Sequence, residues 1–323
     1  MNWNVSELMA ARLYREHIPV LLRESVEFLL TSEDGLVEKN GIYVDATLGG
    51  GGHSLHILNQ LGSEGQLYSI DQDWEAIEAA RERIGVDPRF VPLNGNFGYL
   101  DSLMPLETRG KVNGILFDLG VSTHQIREAE RGFSFQEEGP LDMRMSEDAG
   151  YSAYDVVNTS DIGDLIRILF EYGEERYSRA IAKAIVEARP IETTGALRKV
   201  VESVVRGPKT IKSVARVFQA IRIEVNQELE RLKSALDACL PLLAPGGRIV
   251  AISYHSLEDR MVKTFFKCGN HEGRVEKDFY GNRNCLIQPL MNQLIVPSDD
   301  EMKVNPASRS AKMRVAVRTE KEV

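Results

Sequence analysis

Residues Val44 to His53 read "VDATLGGGGH", an apolar run closing on an acid, then four consecutive glycines and a histidine. The run has the character of a short buried strand, and the glycines form a turn into the helical pattern of "HSLHILNQL". The dinucleotide spacing G-x-G-x-x-G fails here, because its sixth position falls on Ser54 counting from Gly49 and on Leu55 counting from Gly50. What fits is an acid, three residues, then G-x-G: Asp45, Gly49 and Gly51. Glycine at such a turn lets a ligand approach the main chain where a Cβ would block it.

Outward from this turn the pattern alternates. "GQLYSIDQD" is a second strand ending in acids and "WEAIEAARERI" an amphipathic helix, while "PRFVPLNGNF" and "VNGILFDLG" are third and fourth strands. Strands alternating with helices predict an α/β fold, a parallel Rossmann-like sheet that binds ligands beyond the carboxyl ends of its strands. After Asp118 the alternation stops. An acidic, glycine-bearing loop and mostly helical segments follow, and strands resume at "LKSALDACLPLLAPGGRIVAISYHS", with "CLIQPL" and "AKMRVAVRT" as later candidates. The chain therefore divides into a sheet domain, 1–124 with 224–323, and an inserted helical domain, 125–223. The terminal "EKEV" is expected to fray.

The ordered acids and glycines match the S-adenosylmethionine turn of Rossmann-like methyltransferases. Asp71, twenty residues after Gly51 at the end of the second strand, is placed to accept hydrogen bonds from both ribose hydroxyls. Phe97 follows the third strand, where it either stacks on adenine or plugs the core. Asp118 ends the fourth strand, where the reactive methyl lies in this architecture; the plainer alternative is a buried aspartate capping the next turn. His53 and His56 stand at i and i+3, but with no third ligand near in sequence they are read as hydrogen-bonding groups and not as a metal pair.

Composition sets limits around this. The chain has 323 residues, 43% of them hydrophobic, enough for a sizeable core. Its first residues mix Glu7, Arg12, Arg15 and Glu16 with apolar positions, so neither a signal peptide nor a membrane span is expected, and the location expected is the cytoplasm. Three cysteines without a CxxC pair suit a reducing compartment. Cys268, His271 and Cys285 make an incomplete zinc set and are read as solvated loop residues, so no metal is expected. The net charge of −9 argues against a nucleic-acid partner, yet it hides an asymmetry. From Arg176 to Arg222 stand eleven basic residues against Glu187, Glu192 and Glu202. That local excess marks either a solvated helical face or a polyanion-binding one.

One family resemblance draws these features together. "HIPVLL", "DATLGGGGHS", "SIDQD", "GILFDLGVST", "RGFSF", "GPLDMRM", "YGEER", "RVFQAIRIEVNQEL", "LAPGGRIVAISYHSLEDR" and "NPASRSAKMR" resemble the bacterial small-subunit ribosomal RNA cytosine-N4 methyltransferases of the MraW or RsmH type. The resemblance runs from about His17 to Arg318 and includes blocks, such as "GPLDMRM" and "SYHSLEDR", that generic methyltransferases lack. It implies an S-adenosylmethionine-dependent enzyme with cofactor contacts at Gly51, Gly52, His53, Asp71, Phe97, Asp118 and Gln125. Before Gln125 this chain has "VSTHQ" where many relatives have "VSSPQ", and His124 in place of proline loosens that turn.

The resemblance further implies methylation of the exocyclic amine of a cytidine in the decoding region of 16S ribosomal RNA, within the small subunit. That amine is a poor nucleophile, its lone pair being delocalised into the ring. Acceptors placed on its protons and in-line alignment with methyl and sulfur are what an enzyme can supply, and no metal is needed. The base must be unstacked, which is easiest in irregular RNA. DNA amine methyltransferases place an acid or amide, two prolines and an aromatic after the fourth strand; Asp118-Leu119-Gly120 departs from that, so DNA is disfavoured.

Asp118 is the first candidate for orienting the reacting groups. Asn226 and His255, within the "SYH" stretch from Ser253, are the second candidates. Their plainer readings are a cap at Gln227 for Asn226 and, for the "SYH" stretch, a helix start with a Ser256–Asp259 capping box. Lys209, Lys212 and Arg216 become the expected RNA contacts. Methylation of another substrate and a non-catalytic ribosome-assembly factor remain as alternatives, and a homodimer is left open.

Overall fold

The computed structural model describes residues 18–32, 35–120, 129–146, 150–275, 277, 279–281, 283–291 and 293–320. Among them, contacts divide the chain into two compact units, one ending at Gly120 and resuming at Glu230, the other lying between and ending at Leu229. The second unit extends past the expected 125–223 segment. Its longest helix runs without a break to Asn226, beyond the point where the basic residues stop.

The first unit opens with α1 (Leu22–Leu30), β1 (Ile42–Asp45), α2 (Gly52–Leu58), β2 (Gln66–Asp71), α3 (Trp74–Ile84), β3 (Phe90–Asn94), the short α4 (Leu100–Leu103) and β4 (Val112–Asp118). The second unit carries α5 (Ala153–Thr159), α6 (Ile162–Glu171), α7 (Ser178–Ala188), α8 (Thr194–Val204) and α9 (Thr210–Asn226). α10 (Glu228–Leu242) leads back to β5 (Leu243–Ser253), α11 (Ser256–Cys268), β6 (Ile287–Pro289), α12 (Asp299–Val304) and β7 (Lys312–Arg318). The seven strands form one sheet in the order β3-β2-β1-β4-β5-β7-β6, with β7 antiparallel to both neighbours and the other pairings parallel.

The sheet is buried on both faces, which is why its strands read as near-continuous apolar runs. On β4, Ile115 and Phe117 face one core with Val44, Ile249, Phe265 and Phe266, while Leu116 faces the other with Tyr43, Val250, Leu29 and Leu58. The "PGG" stretch lies inside β5, at an irregularity of the pairing. Val112 pairs with Leu243 and Gly114 with Arg248, so β5 carries extra residues against β4. The second unit has its own core, built from Val156, Leu165, Ile168, Ile181, Leu197, Val217 and Ile221. Each amphipathic helix contributes one apolar stripe to it.

Candidate functional site

The three acids singled out from sequence end adjacent parallel strands: Asp71 on β2, Asp45 on β1 and Asp118 on β4. Each has a different task. Asp45 is fully buried and points into the fold: Ser54 Oγ donates to Oδ2 at 2.6 Å, the Thr47 N–H to Oδ1 at 3.2 Å, and Ser54 Oγ also meets Ser69 Oγ at 2.9 Å. It ties α2 to the two central strands. Burial pushes its carboxyl up from the usual carboxylate range.

Asp71 holds the glycine turn. Gly49 N–H donates to Oδ2 at 2.8 Å and Asp73 N–H to Oδ1 at 2.9 Å. Burial raises the carboxyl to about 6, against the pull of those two N–H groups. A carboxylate has further lone pairs, so accepting from ribose hydroxyls remains within its capacity.

The glycines divide by cause. Gly49 (φ 48°) and Gly51 (φ 74°) adopt a left-handed backbone that favours glycine. A Cβ on Gly51 would lie 3.0 Å from Ala80 Cβ, and one on Gly52 would overlap Pro19. Packing inside the protein thus accounts for both, and a ligand there would meet main chain alone. A Cβ on Gly49 would have nothing within 4 Å, so the turn is open on that side.

Asp118 is the centre of a polar cluster. Its N–H donates to Thr47 Oγ1 at 2.7 Å, Oδ1 accepts from the Tyr254 hydroxyl at 2.7 Å, and Oδ2 faces His53 Nδ1 at 3.7 Å. On the far side of the imidazole, Nε2 lies 3.2 Å from the Val20 carbonyl, which can only accept, so Nε2 carries the proton. Burial holds the imidazole below its ordinary value and favours the neutral form. Nδ1 and Oδ2 are then two acceptors facing each other, an arrangement that suits a group bearing N–H protons. Phe97 is half-buried with its edge against Phe117, ring centroids 6.0 Å apart, so it packs with the core at the strand ends.

The rim of aspartates tests the fit of an adenosyl sulfonium. Carboxylates at the ends of β2 and β4 suit a cation that carries hydroxyls and an ammonium group. The pyrophosphate of a dinucleotide would instead need donors there.

The remaining expected residues make other contacts. His255 caps α11: Nδ1 accepts from Glu258 N–H at 3.3 Å, while Glu258 Oε2 accepts from the N–H groups of Tyr254 at 2.9 Å and His255 at 3.3 Å. The capping box is therefore His255–Glu258, one residue before the expected Ser256–Asp259 pair, and Asp259 instead binds Arg314 at 2.7 Å. Within the "SYH" stretch it is Tyr254, and not His255, that makes the contact with Asp118. Asn226 does not cap the next helix. Its amide donates to the carbonyls of Met143 and Arg222 and accepts from Met145 N–H, fastening the "DMRM" stretch to the end of α9. Gln125 and His124 lie outside the described residues.

The basic residues of the second unit separate into two kinds. Arg189 donates to the carbonyls of Val157 (2.8 Å) and Ser160 (2.6 Å), Arg198 pairs with Glu202 at 2.7 Å, and Arg222 with Glu228 at 2.8 Å. These hold the fold. Lys209, the residue before α9, and Lys212, in its first turn, are exposed, and that turn has no acid to balance the helix dipole. Arg216 shares their face four residues on, but lies 3.7 Å from the fully buried Glu175. The cysteine reading is corrected: Cys268 and Cys285 are buried, Cys285 Sγ donates to the Cys268 carbonyl at 3.1 Å, and His271 turns to Asp237 at 3.0 Å.

A model of the MraW methylase family matches residues 14–319. The chain belongs to that family. A protein of Parabacteroides distasonis named ribosomal RNA small subunit methyltransferase H is 48% identical over 93% of this chain and 96% of its own length. Proteins of the same name from Phocaeicola vulgatus and Caldicellulosiruptor bescii are 49% and 48% identical, each over 93% of this chain and 96% and 98% of theirs. Membership makes the chain a methylase on a Rossmann-like sheet, and the acids described above lie at the carboxyl ends of its parallel strands.

Proposed function

We propose that this protein transfers the methyl group of S-adenosylmethionine to the N4 amine of a cytidine in the decoding region of 16S ribosomal RNA, acting in the cytoplasm on the small subunit. The observation that carries the reading is the Asp118 cluster at the end of β4, in a chain matched by the MraW family model almost from end to end. Among the described residues no helix is long and apolar enough to cross a membrane.

Bound S-adenosylmethionine supplies an electrophilic methyl on a positively charged sulfur. Gly49, the main chain at Gly51 and Gly52, Asp71 and Phe97 would hold it, with Asp71 taking the ribose hydroxyls and Phe97 bordering the adenine. The methylated amine sheds one proton, which Asp118 Oδ2 would take up and pass to water, and the demethylated cofactor would leave as a neutral thioether, so no strong base is needed. Accepting hydrogen bonds from the amine protons draws electron density toward nitrogen and favours its pyramidal form, and a carboxylate held at one angle keeps the lone pair in line. Asp118 Oδ2 is the acceptor placed for that, with His53 Nδ1 beside it. Lys209 and Lys212, and Arg216 in part, would meet RNA phosphates. A homodimer is compatible with this scheme and not required by it.

The test is transfer of tritiated methyl to small subunits from cells lacking this protein, followed by nucleoside analysis. Label in N4-methylcytidine is the expected result. Label on another nucleoside overturns the substrate, and bound cofactor without label points to an RNA-binding assembly factor.

A further inference from the structure

The mechanism leaves one half-buried group without a task. Tyr254 follows the last residue of β5, and the chain turns there because Glu258 Oε2 receives both the Tyr254 and the His255 N–H. Its ring lies against Gly120, where a Cβ would sit 3.3 Å from Cδ2 and where φ is 110°. Leu119 N–H continues the pairing of β4 with β5 by donating to the Ile252 carbonyl at 2.9 Å. The "FDLG" and "SYH" segments are thus locked together, glycine on one side making room for tyrosine on the other. The outcome is a hydroxyl aimed at Asp118 Oδ1 across 136 residues of sequence.

We propose that Tyr254 is the positioning residue for the Asp118 carboxylate: its hydroxyl fixes Oδ1, and so presents Oδ2 to the amine that receives the methyl. This rests on the functional reading given above. Three features support it. A carboxylate rotates about χ2 unless its oxygens are held, and a hydroxyl tied to one oxygen at 2.7 Å restrains the other as well. The hydroxyl also cannot change role, because burial and the nearby carboxylates of Asp118, Glu258 and Glu301 push the phenol well above its ordinary range, leaving it a permanent donor. Finally, a donor on Oδ1 leaves the carboxylate anionic and accepting at Oδ2, the state needed to receive an N–H. Tyr254 touches no reacting atom in this arrangement and acts through Asp118.

The decisive variant is Tyr254→Phe, which keeps the ring against Gly120 and removes one oxygen. With small subunits as substrate, kcat should fall about ten- to a hundredfold, as for loss of a hydrogen bond to a charged group. KM for subunits and calorimetric affinity for S-adenosylmethionine should stay within about twofold. A residue that merely supports the fold would move affinity and melting temperature together. The second readout is non-additivity: the double variant with Asp118→Asn should be no slower than Asp118→Asn alone. A kcat for Tyr254→Phe within about twofold of the native enzyme overturns the proposal, as do losses that multiply in the double variant. Failure of the functional reading looks different, since the native enzyme itself would then leave no label on cytidine N4.

Discussion

Asp118 ends β4 with its side chain 12% exposed and one carboxylate oxygen bound to Tyr254, whereas Lys209 and Lys212 stand in solvent at the start of α9. The sheet unit thus fixes charge by burial and hydrogen bonds, so that moving one oxygen alters what the site can accept. The helical unit offers charge as a surface field, where position matters over several ångströms and salt screens it. Variants in the two units should therefore fail in different measurements, and the largest failure belongs to the sheet. Asp118→Ala removes the acceptor at the strand end and should lower turnover about a thousandfold, the scale of losing a preorganised electrostatic group. Its melting temperature should change by no more than a few degrees. Turnover kept within tenfold would mean that the buried side of the contrast carries no chemistry.

The helical unit sharpens the contrast from the other side. Lys209→Glu with Lys212→Glu should weaken binding to small subunits by tens-fold at low salt and flatten the salt dependence, because each lost phosphate contact lowers its slope by roughly 0.7 to 0.9. Cofactor affinity should not move. Arg189→Ala, in the same basic segment, should do the reverse. It leaves the Val157 and Ser160 carbonyls without a donor, costs about 1–3 kcal/mol of stability, and leaves RNA affinity intact. Equal effects of the two variants on binding would show that the segment acts only through its total charge.

That pair also marks where sequence reading ends. A parallel sheet brings strand ends together, so an acid closing each apolar run is enough to place Asp45, Asp71 and Asp118 on one rim before any coordinates exist. The glycine spacing located the turn but not its cause at Gly52, since the clash with Pro19 involves a residue 33 positions away. The "SYH" stretch was visible as a candidate, but the part played by Tyr254 in it was hidden for the same reason: no local pattern shows a hydroxyl reaching Asp118 from the end of β5. In the insert, counting cations could not separate Arg189, which binds carbonyls, from Lys209, which meets solvent. Both look alike in a helical repeat, and only the fold decides which one finds a partner. The end of the insert shows the same limit: a helical pattern without strands gives only an approximate boundary, and the hydrogen-bond ladder of α9 runs past 223 to Asn226.

The smallest effect is one of pH, and it turns on the difference between a buried carboxylate and an exposed lysine. Asp71 titrates at about 6 in the folded protein and near 4 when unfolded, chiefly because it is buried, with the N–H groups of Asp73 and Gly49 opposing and the carboxylates of Asp73 and Asp45 adding a little. Between those values the folded state holds the extra proton. For this group, stability of the cofactor-free protein therefore rises as pH falls from 7 to 4. Cofactor affinity moves the opposite way. Ribose hydroxyls donate to the ionised form, so the dissociation constant should be flat above pH 7 and rise about tenfold for each unit below 6. Calorimetric titration of S-adenosylmethionine between pH 5 and 8 measures this directly, and Asp71→Asn should bind more weakly at pH 8 with the pH dependence gone. An affinity unchanged at pH 5 would remove Asp71 from the cofactor's contacts and leave it only the glycine turn to hold. Binding to RNA offers the control, since the contacts of Lys209 and Lys212 do not involve Asp71 and should not follow the same curve.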